Sequence, residues 1–453
     1  MAAALLGFAA VSGRLHRSVI TPAMVFVLLG YLLGDGGLGV FDSGIDPATV
    51  RLLAEVTLAL VLFSDAAALD SRALSREAAL PARLLAIGLP LSIVLGTVVA
   101  WLLFPDLLFF EAVVLAVLLA PTDAALGQTV ISDRRLPSRL RQGLNVESGL
   151  NDGICVPLLF AAIALATVEE TAGGEVEILR DLLIEISVAL VVGLATAVSA
   201  AALFTASGAR GWLDHNWAQV VPLATAAVAY TATVELGGSG FIAAFVAGIV
   251  YGRRVGPSSA HHSTKLMEEL GGLLSAVTFF VFGAVLIARS VTDLDIATVA
   301  YALASLTVVR MAPVALSLLG SRASWQTSAF AGWFGPRGLA TIVFMLTVVE
   351  ESQLAGTSRI VQVATVTVLF SVIAHGVSAP GLTERYVRWY DTSRHSLALE
   401  SRRTGVHVAD RRGLWHRNAQ HRGRPDAGEG AEPDAACAVR SSEAAVLDGD
   451  LEP

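Results

Sequence analysis

The sequence predicts an all-α polytopic membrane protein with about 13 transmembrane helices, arranged as two inverted six-helix repeats. Three observations predict this class. Of the 453 residues, 54% are hydrophobic and only 15% are charged. Apolar runs long enough to cross about 30 Å of hydrocarbon recur along most of the chain. Two of these runs are interrupted at matching places. The lipid bilayer is therefore the expected surroundings, and because the charges lie in loops and the tail, we do not expect nucleic-acid binding.

Thirteen apolar segments satisfy the hydropathy criterion and are numbered here as spans 1 to 13. Their ranges are 1–13, 18–34, 50–69, 81–104, 109–131, 142–166, 180–206, 217–236, 239–252, 267–288, 293–319, 326–349 and 357–380. Spans 1 and 9 are short, and we interpret span 1 as a shortened helix. An odd number of spans predicts that the two termini lie on opposite sides of the membrane.

Loop charges predict the orientation. The loops after spans 1, 3, 5, 7, 9 and 11, together with the adjoining span ends, carry 14 Lys or Arg residues, and the other loops with their adjoining span ends carry four. Cytoplasmic loops are enriched in these residues, so we expect the N-terminus outside and the C-terminus inside. The use of 30 Arg against one Lys indicates a GC-rich bacterial genome, and hence the inner membrane of a bacterial cell. Residues 381–453 have the composition of a mostly disordered cytoplasmic tail.

Span 6 contains the polar stretch that the predicted function depends on, Asn145-Val146-Glu147-Ser148-Gly149-Leu150-Asn151-Asp152. A charged side chain at the bilayer centre costs about 3 kcal/mol, and such residues usually line an ion or substrate path. Residues four apart share a helix face, so Glu147 lies under Asn151 and Ser148 lies under Asp152. One of these two stripes could bind an ion while the other is anchored.

Spans 5 and 12 are predicted to be broken helices that cross at the midplane. Span 5 contains Ala120-Pro121-Thr122-Asp123, and span 12 contains Phe334-Gly335-Pro336-Arg337-Gly338. Proline removes a backbone donor and glycine lowers the cost of unwinding. If spans 1–6 and 8–13 are the repeats, each broken helix is the fifth of its repeat, which indicates a transport site between them. Two ordinary proline kinks are the alternative.

Several polar residues near these breaks have two interpretations. The Asp123 carboxylate could cap the second half-helix of span 5 or face a cation. Thr122 offers a hydroxyl and an unwound carbonyl, both oxygen ligands of the kind that hard cations prefer. Asp65 in span 3 is either a third acidic ligand or a residue near the inner interface. His375 in span 13 could sense pH or be a structural histidine.

Arg310 lies deep in span 11 and needs an anion, because an unpaired guanidinium there would be costly. Glu147 is a suitable partner, since its stripe is turned away from Asp152 and a carboxylate can pair with arginine bidentately. That pairing leaves Asp152 without a dedicated cation. Arg337, beside the break in span 12, could instead supply positive charge to the cavity.

Two further classes of function have some support. Gly237-Gly238-Ser239-Gly240 formally resembles the serine motif of intramembrane proteases, although it falls in a predicted outer turn. A sodium-coupled solute symporter could use a similar inverted-repeat scaffold. The first predicts that Ser239 is essential, and the second predicts solute uptake without proton counterflow.

The motifs in spans 5, 6 and 12, in this order and spacing, resemble those of monovalent cation:proton antiporters of the NhaP and sodium/proton exchanger type. The likeness covers about residues 1–380. It implies an NhaA-like antiporter fold, a secondary transporter rather than an enzyme, no cofactor, a homodimer and a part in pH homeostasis. The implied core is 81–166 with 293–380, the dimerisation panel is 1–69 with 217–288, and 180–206 is a linker.

The resemblance also implies roles for individual residues. Asp152 would carry the ion and the proton in turn, and Asn151 would steady the broken helices. Ser148, Thr122 and Asp123 would help to bind the cation, with Asp65 at the third acidic position and Glu147 paired with Arg310. Asparagine at position 151 is associated with electroneutral exchange of one sodium or lithium ion for one proton. Potassium is the alternative cation, because oxygen ligands alone do not fix the size of a site.

Overall fold

The computed structural model describes residues 2–15, 19–40, 47–69, 79–123, 126–171, 175–292, 294–321, 323–351 and 354–403. All regular secondary structure in these ranges is helical. A helix occupies each of the thirteen predicted spans. This confirms the prediction of an all-α polytopic protein.

Seven helices in the described ranges are long and apolar enough to cross a membrane. They are Ala79–Leu103, Ser138–Thr171, Arg180–Ala209, His215–Glu235, Ser263–Val291, Ile296–Ser317 and Thr357–Ser393. The shorter apolar helices are Ala2–Gly13, Pro22–Leu33, Phe109–Leu118 and Leu339–Val349. Pro47–Ala67 occupies span 3, and Gly240–Val255 occupies span 9. The exact number of thirteen transmembrane helices stays a prediction.

Both predicted interruptions are present. Span 5 consists of the half-helix Phe109–Leu118 and the short helix Gln128–Ile131. Span 12 consists of Trp325–Trp333 and Leu339–Glu351, with residues 334–338 outside any helix. A proline lies in each break and cannot donate a backbone hydrogen bond, which explains why the helical ladder stops there.

A third interruption was not predicted. Span 11 is split into Ile296–Leu306 and Val308–Ser317 by Thr307, whose φ of -111° and ψ of -90° are not helical. The Thr307 hydroxyl donates to the carbonyl of Leu303 at 2.6 Å, a local bond that competes with the helical ladder. Neither proline nor glycine marks this position, so the pattern that predicted the other breaks could not find it.

The helices pack as two groups. In the first, the helix of span 3 packs against those of spans 9 and 10, and Pro22–Leu33 also packs against span 10. Gly30 permits this contact, because a Cβ there would lie 2.0 Å from the carbonyl oxygen of Phe280. In the second group, the half-helix Phe109–Leu118 packs between spans 4 and 6, and span 11 packs against Trp325–Trp333.

The last helix does not end at the predicted domain boundary of 380. It runs from Thr357 to Arg403, and the membrane unit extends from Met1 to Tyr390. Tyr386 is buried, with its ring centroid 4.5 Å from that of Phe330. The hydropathy criterion did not include this extension because charged residues are as numerous as apolar ones in residues 381–403. Residues 404–453 of the predicted tail lie outside the described residues.

Candidate ion site

Span 6 holds the break of span 5 through three hydrogen bonds to one residue. The Ser148 hydroxyl donates to the carbonyl oxygen of Thr122. The Asn151 amide nitrogen donates to the Thr122 hydroxyl at 2.7 Å, and its amide oxygen accepts from the Thr122 backbone N–H at 3.3 Å. Each polar group of Thr122 therefore has a partner from one of the two stripes on span 6. A buried unwound segment requires such partners, because lipid offers none.

Glu147 and Arg310 form a buried bidentate ion pair. The two N–O distances are both 2.9 Å, and the side chains are 1% and 2% exposed. Asn151 also donates to Glu147 at 3.2 Å. Gly335 allows the guanidinium to lie against span 12, since a Cβ at that position would be 2.4 Å from Arg310 Nε. Two charges in excellent geometry compensate each other even where each alone would be costly.

Asp123 links the two broken helices. Its backbone N–H donates to the carbonyl of Pro336 at 2.7 Å. Its carboxylate accepts from the backbone N–H of Leu339 at 2.8 Å and from that of Leu126 at 3.3 Å. The contact with the Leu339 N–H caps the half-helix Leu339–Glu351, where the helix dipole favours a negative charge. The Asp123 carboxylate thus caps the half-helix of span 12 with one oxygen and accepts with the other from a backbone N–H just before the short helix of span 5.

Arg337 makes the reverse connection. Its guanidinium Nη1 donates to the carbonyls of Ala120 and Pro121, the latter at 3.0 Å, just beyond the C-terminus of Phe109–Leu118. A cation at that end satisfies free carbonyls and complements the helix dipole. Each break therefore supplies a charge of the required sign to a half-helix of the other span. Arg337 is 1% exposed, and its Nη1 is engaged with these backbone carbonyls.

Asp152 differs from these paired groups. It is 7% exposed, and its Oδ1 has no hydrogen-bond partner among the described residues. Arg310 is already occupied by Glu147. Asp65, Asp123 and Glu147 act on Asp152 electrostatically as negative charges, and Arg337 acts as a positive one. A buried carboxylate without a partner is costly, so this oxygen is the group in the site most in need of a positive particle.

Asp65 lies against the site helix but does not complete a cluster of acidic ligands. A Cβ at Gly149 would be 3.0 Å from the Asp65 Cβ and 3.5 Å from its Oδ2, so the two helices are in close contact. Asp65 also interacts electrostatically with Asp123. Within the described residues, however, no three acidic, histidine or cysteine side chains come close enough together to hold a metal ion.

A small cavity reaches the break of span 5. Its lining residues are Thr122, Asp123, Gly127, Val130, Ile131, Leu144, Ser148, Phe334 and Pro336. Most of the apolar members come from the parts of spans 5, 6 and 12 that the loop charges assign to the cytoplasmic side. Ser148 stands one helical turn from Asp152, so the cavity approaches the unpartnered carboxylate without being lined by it.

Two buried polar residues escaped the sequence analysis. Glu111 is fully buried, and its carboxylate accepts from the backbone N–H groups of Leu108 at 2.9 Å and Gly356 at 2.7 Å. An acid in the first turn of span 5 is the signal that could have found it. Ser371 is also fully buried and accepts from the Arg337 backbone N–H at 2.6 Å. The only feature of the sequence that could have pointed to Ser371 is its position one helical turn before His375.

Ser239 is not placed as a protease nucleophile. It precedes Gly240–Val255 as the N-cap residue, and its buried hydroxyl has no hydrogen-bond partner in the described ranges. A serine nucleophile needs a base within hydrogen-bond reach. Gly237 beside it has a φ of +77°, which fits the predicted turn.

The family model for the transmembrane part of sodium/hydrogen exchangers matches residues 1–385. The K(+)/H(+) antiporter NhaP of Alkalimonas amylolytica is 26% identical over 340 residues, which cover 74% of this chain and 57% of that protein. The K(+)/H(+) antiporter NhaP2 of Shewanella sp. (strain ANA-3) is 26% identical over 380 residues, with coverages of 81% and 62%. The chain therefore spans less than two thirds of the length of either relative.

A solved structure has a similar fold. The sodium proton antiporter MjNhaP1 from Methanocaldococcus jannaschii, at pH 8, matches with a TM-score of 0.67 at 20% identity. The match covers 83% of this chain and 97% of that one. This likeness confirms the antiporter fold class that the resemblance implied.

The Glu147–Arg310 pair predicts a coupled loss of stability. Glu147→Ala and Arg310→Ala should each lower the free energy of unfolding by about 3–5 kcal/mol, because each leaves a buried charge alone. The double variant should lose clearly less than the sum, as measured by a double-mutant cycle on unfolding in detergent. The exposed pair Lys265 and Glu269, with an N–O distance of 3.9 Å, is the control and should show no coupling. Additive losses at Glu147 and Arg310 would contradict the assignment.

Proposed function

Because the chain belongs to the sodium/hydrogen exchanger family, we propose that it is a secondary active transporter that exchanges a monovalent cation for protons. The family match and the antiporter fold support a transporter rather than an enzyme. The observation that carries the proposal is the state of the two acids on span 6. Glu147 is neutralised by Arg310, whereas Asp152 is buried with an unpartnered oxygen.

In this proposal Asp152 holds a proton or a cation, but not both at once. A single carboxylate for which two positive particles compete converts their competition into exchange when the site faces each side of the membrane in turn. Glu147 cannot take this part while Arg310 holds both of its oxygens. Asp123 is less suitable as well, because its carboxylate caps the half-helix Leu339–Glu351.

The cation would reach Asp152 past Thr122 and Ser148. Both residues line the cavity, and the Ser148 hydroxyl contacts the Thr122 carbonyl, so two oxygen ligands lie side by side. Asp123 and Asp65 add negative charge that acts on Asp152. Asn151 contributes no charge and holds the break of span 5 in place. We assign it a supporting role together with Glu147, Arg310 and Arg337.

Exchange of one cation for one proton follows from the charges of this site. If Asp152 is the only carrier, it crosses as a neutral acid or as a neutral ion pair with the cation. The charge that moves is then the same in both directions. This supports electroneutral exchange, since the neighbouring Asn151 has no charge to add.

Sodium or lithium is the cation that we propose first, and potassium is the second candidate. The fold neighbour is a sodium proton antiporter, whereas two relatives are named K(+)/H(+) antiporters. Ligand chemistry does not separate these ions, because serine, threonine and carboxylate oxygens bind all three.

Assembly and orientation extend the proposal. We propose a homodimer that buries the panel of spans 1–3 and 8–10, while spans 4–6 and 11–13 form the moving core. The contacts of span 3 support the division, because they are more extensive with spans 9 and 10 than with spans 6 and 12. The loop charges support a cytoplasmic C-terminus, and hence a cavity that opens to the cytoplasm. We also propose that the protein lies in a bacterial inner membrane and contributes to pH homeostasis.

Asp152→Asn should abolish cation-driven proton movement in reconstituted vesicles, because an amide of similar shape can neither release a proton nor neutralise a cation. The measurement is the change in internal pH after a sodium pulse. Glu185→Gln is the matched control, since it makes the same exchange of carboxylate for amide in another membrane helix. Activity retained in Asp152→Asn would contradict the proposal.

Voltage should not change the initial rate of exchange. Two sets of vesicles are held at membrane potentials of opposite sign by potassium diffusion, and sodium is the transported ion. The internal pH should change at the same rate in both sets. The physical reason is that no net charge crosses in either half of the cycle. A rate that changes several-fold with the sign of the potential would reject one-for-one exchange.

Sodium and lithium should each drive a larger proton flux than potassium at the same concentration. The measurement is proton flux in vesicles given each chloride salt in turn, with choline chloride as the control. Flux that is largest with potassium would select the second candidate and leave the antiport mechanism intact. Uptake of an organic solute without proton counterflow would favour a symporter.

A further inference from the structure

Span 13 places a buried histidine beside the break in span 12. His375 is 2% exposed. Its Nε2 lies 2.9 Å from the carbonyl oxygen of Trp333, the last residue of the first half-helix of span 12. Its Nδ1 lies 3.2 Å from the Ser371 hydroxyl and 2.9 Å from the Ser371 carbonyl oxygen. Both ring nitrogens therefore have polar atoms within hydrogen-bond distance.

Ser371 connects this histidine to the other side of the break. The backbone N–H of Arg337 donates to the Ser371 hydroxyl oxygen at 2.6 Å. The hydroxyl hydrogen of Ser371 is then free to donate to Nδ1 of His375. The contacts run from Arg337 through Ser371 and His375 to Trp333. Span 13 therefore holds the residue that precedes the unwound segment 334–338 and a residue within it.

Of the two neutral tautomers of His375, the one with its hydrogen on Nε2 makes two hydrogen bonds in this chain of contacts, and the one with its hydrogen on Nδ1 makes one, to the Ser371 carbonyl oxygen. In the first tautomer the Nδ1 lone pair also faces that carbonyl oxygen at 2.9 Å. With the hydrogen on Nε2, His375 donates to Trp333 and accepts from the Ser371 hydroxyl. With the hydrogen on Nδ1, the Nε2 lone pair would face the Trp333 carbonyl oxygen at 2.9 Å, which places two acceptors together. The tautomer of a histidine is set by such partners.

The doubly protonated state fits the hydrogen bonds but not the charges. Both ring nitrogens could then donate to carbonyl oxygens. However, two arginines already lie at this break, since the Arg337 backbone is bonded to Ser371 and the Arg310 guanidinium lies against Gly335. A third buried cation beside them would need an anion, and Glu147 is already paired with Arg310.

We propose that His375 is a positioning residue for ion exchange, held as the neutral tautomer with its hydrogen on Nε2. The proposal rests on the proposed function. His375 acts through Arg337, whose backbone it fixes by way of Ser371. The Arg337 guanidinium in turn holds the carbonyls of Ala120 and Pro121, next to Thr122 in the candidate ion site. His375 therefore acts by positioning the backbone of span 12, and this role does not require a change in its protonation.

Two amide substitutions test this role, because their amide nitrogens lie at different distances from the backbone. The nitrogen of Gln in His375→Gln lies about as far from the backbone as Nε2 and can donate to Trp333. The shorter Asn in His375→Asn reaches only the place of Nδ1. We expect His375→Gln to keep most of the maximal rate of sodium-driven proton flux, and His375→Asn to lose about tenfold. The pH profile of His375→Gln should match that of the parent.

Three results would overturn the proposal. A shifted pH profile in His375→Gln would mean that protonation of the histidine matters. Equal rates in the parent, His375→Asn and Ser371→Ala would mean that these contacts position nothing of consequence. A loss in His375→Gln as large as that in His375→Asn would mean that the bond to Trp333 is not the decisive one. Thermal unfolding of each variant identifies losses that are due only to misfolding.

A direct measurement of the tautomer keeps the proposal testable without transport. Histidine labelled with ¹⁵N, in protein reconstituted in bilayers, gives a signal for His375 that is identified by its absence in His375→Gln. We expect a protonated Nε2 and an unprotonated Nδ1 between about pH 5 and pH 8. Two protonated nitrogens, or a proton on Nδ1 alone, would overturn the assignment. If the parent shows no exchange with any cation, the proposed function fails while the tautomer result stands by itself.

Discussion

The rest of the structure depends on how two unwound segments satisfy their backbone groups inside the membrane. Asp123 from span 5 caps the half-helix that begins at Leu339, and Arg337 from span 12 holds the free carbonyls of Ala120 and Pro121. The Asp123 N–H also donates directly to Pro336. Without these reciprocal contacts each broken helix would leave dipole ends and polar groups in an apolar environment.

The remaining polar groups of the site are of two kinds: those that already have a partner in the protein and those that do not. Glu147 is fixed by Arg310, and Asn151 and Ser148 are bonded to Thr122. Asp152 alone keeps a buried carboxylate oxygen without a partner in the described part of the chain. In the proposed function Asp152 is the acid that exchanges its positive partner, while Glu147, Asn151 and Ser148 hold the helices around it.

The sequence predicted the features that have a strong local signal and missed those that depend on tertiary contact. Pro121 and Pro336 marked both breaks, and the four-residue spacing in span 6 separated Glu147 from Asp152. The break at Thr307 and the buried serine at 371 carry no such signal. The capping of span 12 by Asp123 could not be predicted either, because it requires knowing which helix crosses which. Similarly, the last helix stays buried as far as Val387, and the packing of Tyr386 on Phe330 contributes to this in a way that composition does not reveal.

The central claim is that a cation and a proton compete for the carboxylate of Asp152. The most direct test is to measure the protons released when a cation binds. Sodium is added to the purified protein in a calorimeter, in buffers that differ in ionisation enthalpy, at a pH where Asp152 is about half protonated. The account predicts that each bound cation displaces up to one proton and that Asp152→Asn releases none. Cation binding of equal strength without any proton release, in the parent protein, would contradict it.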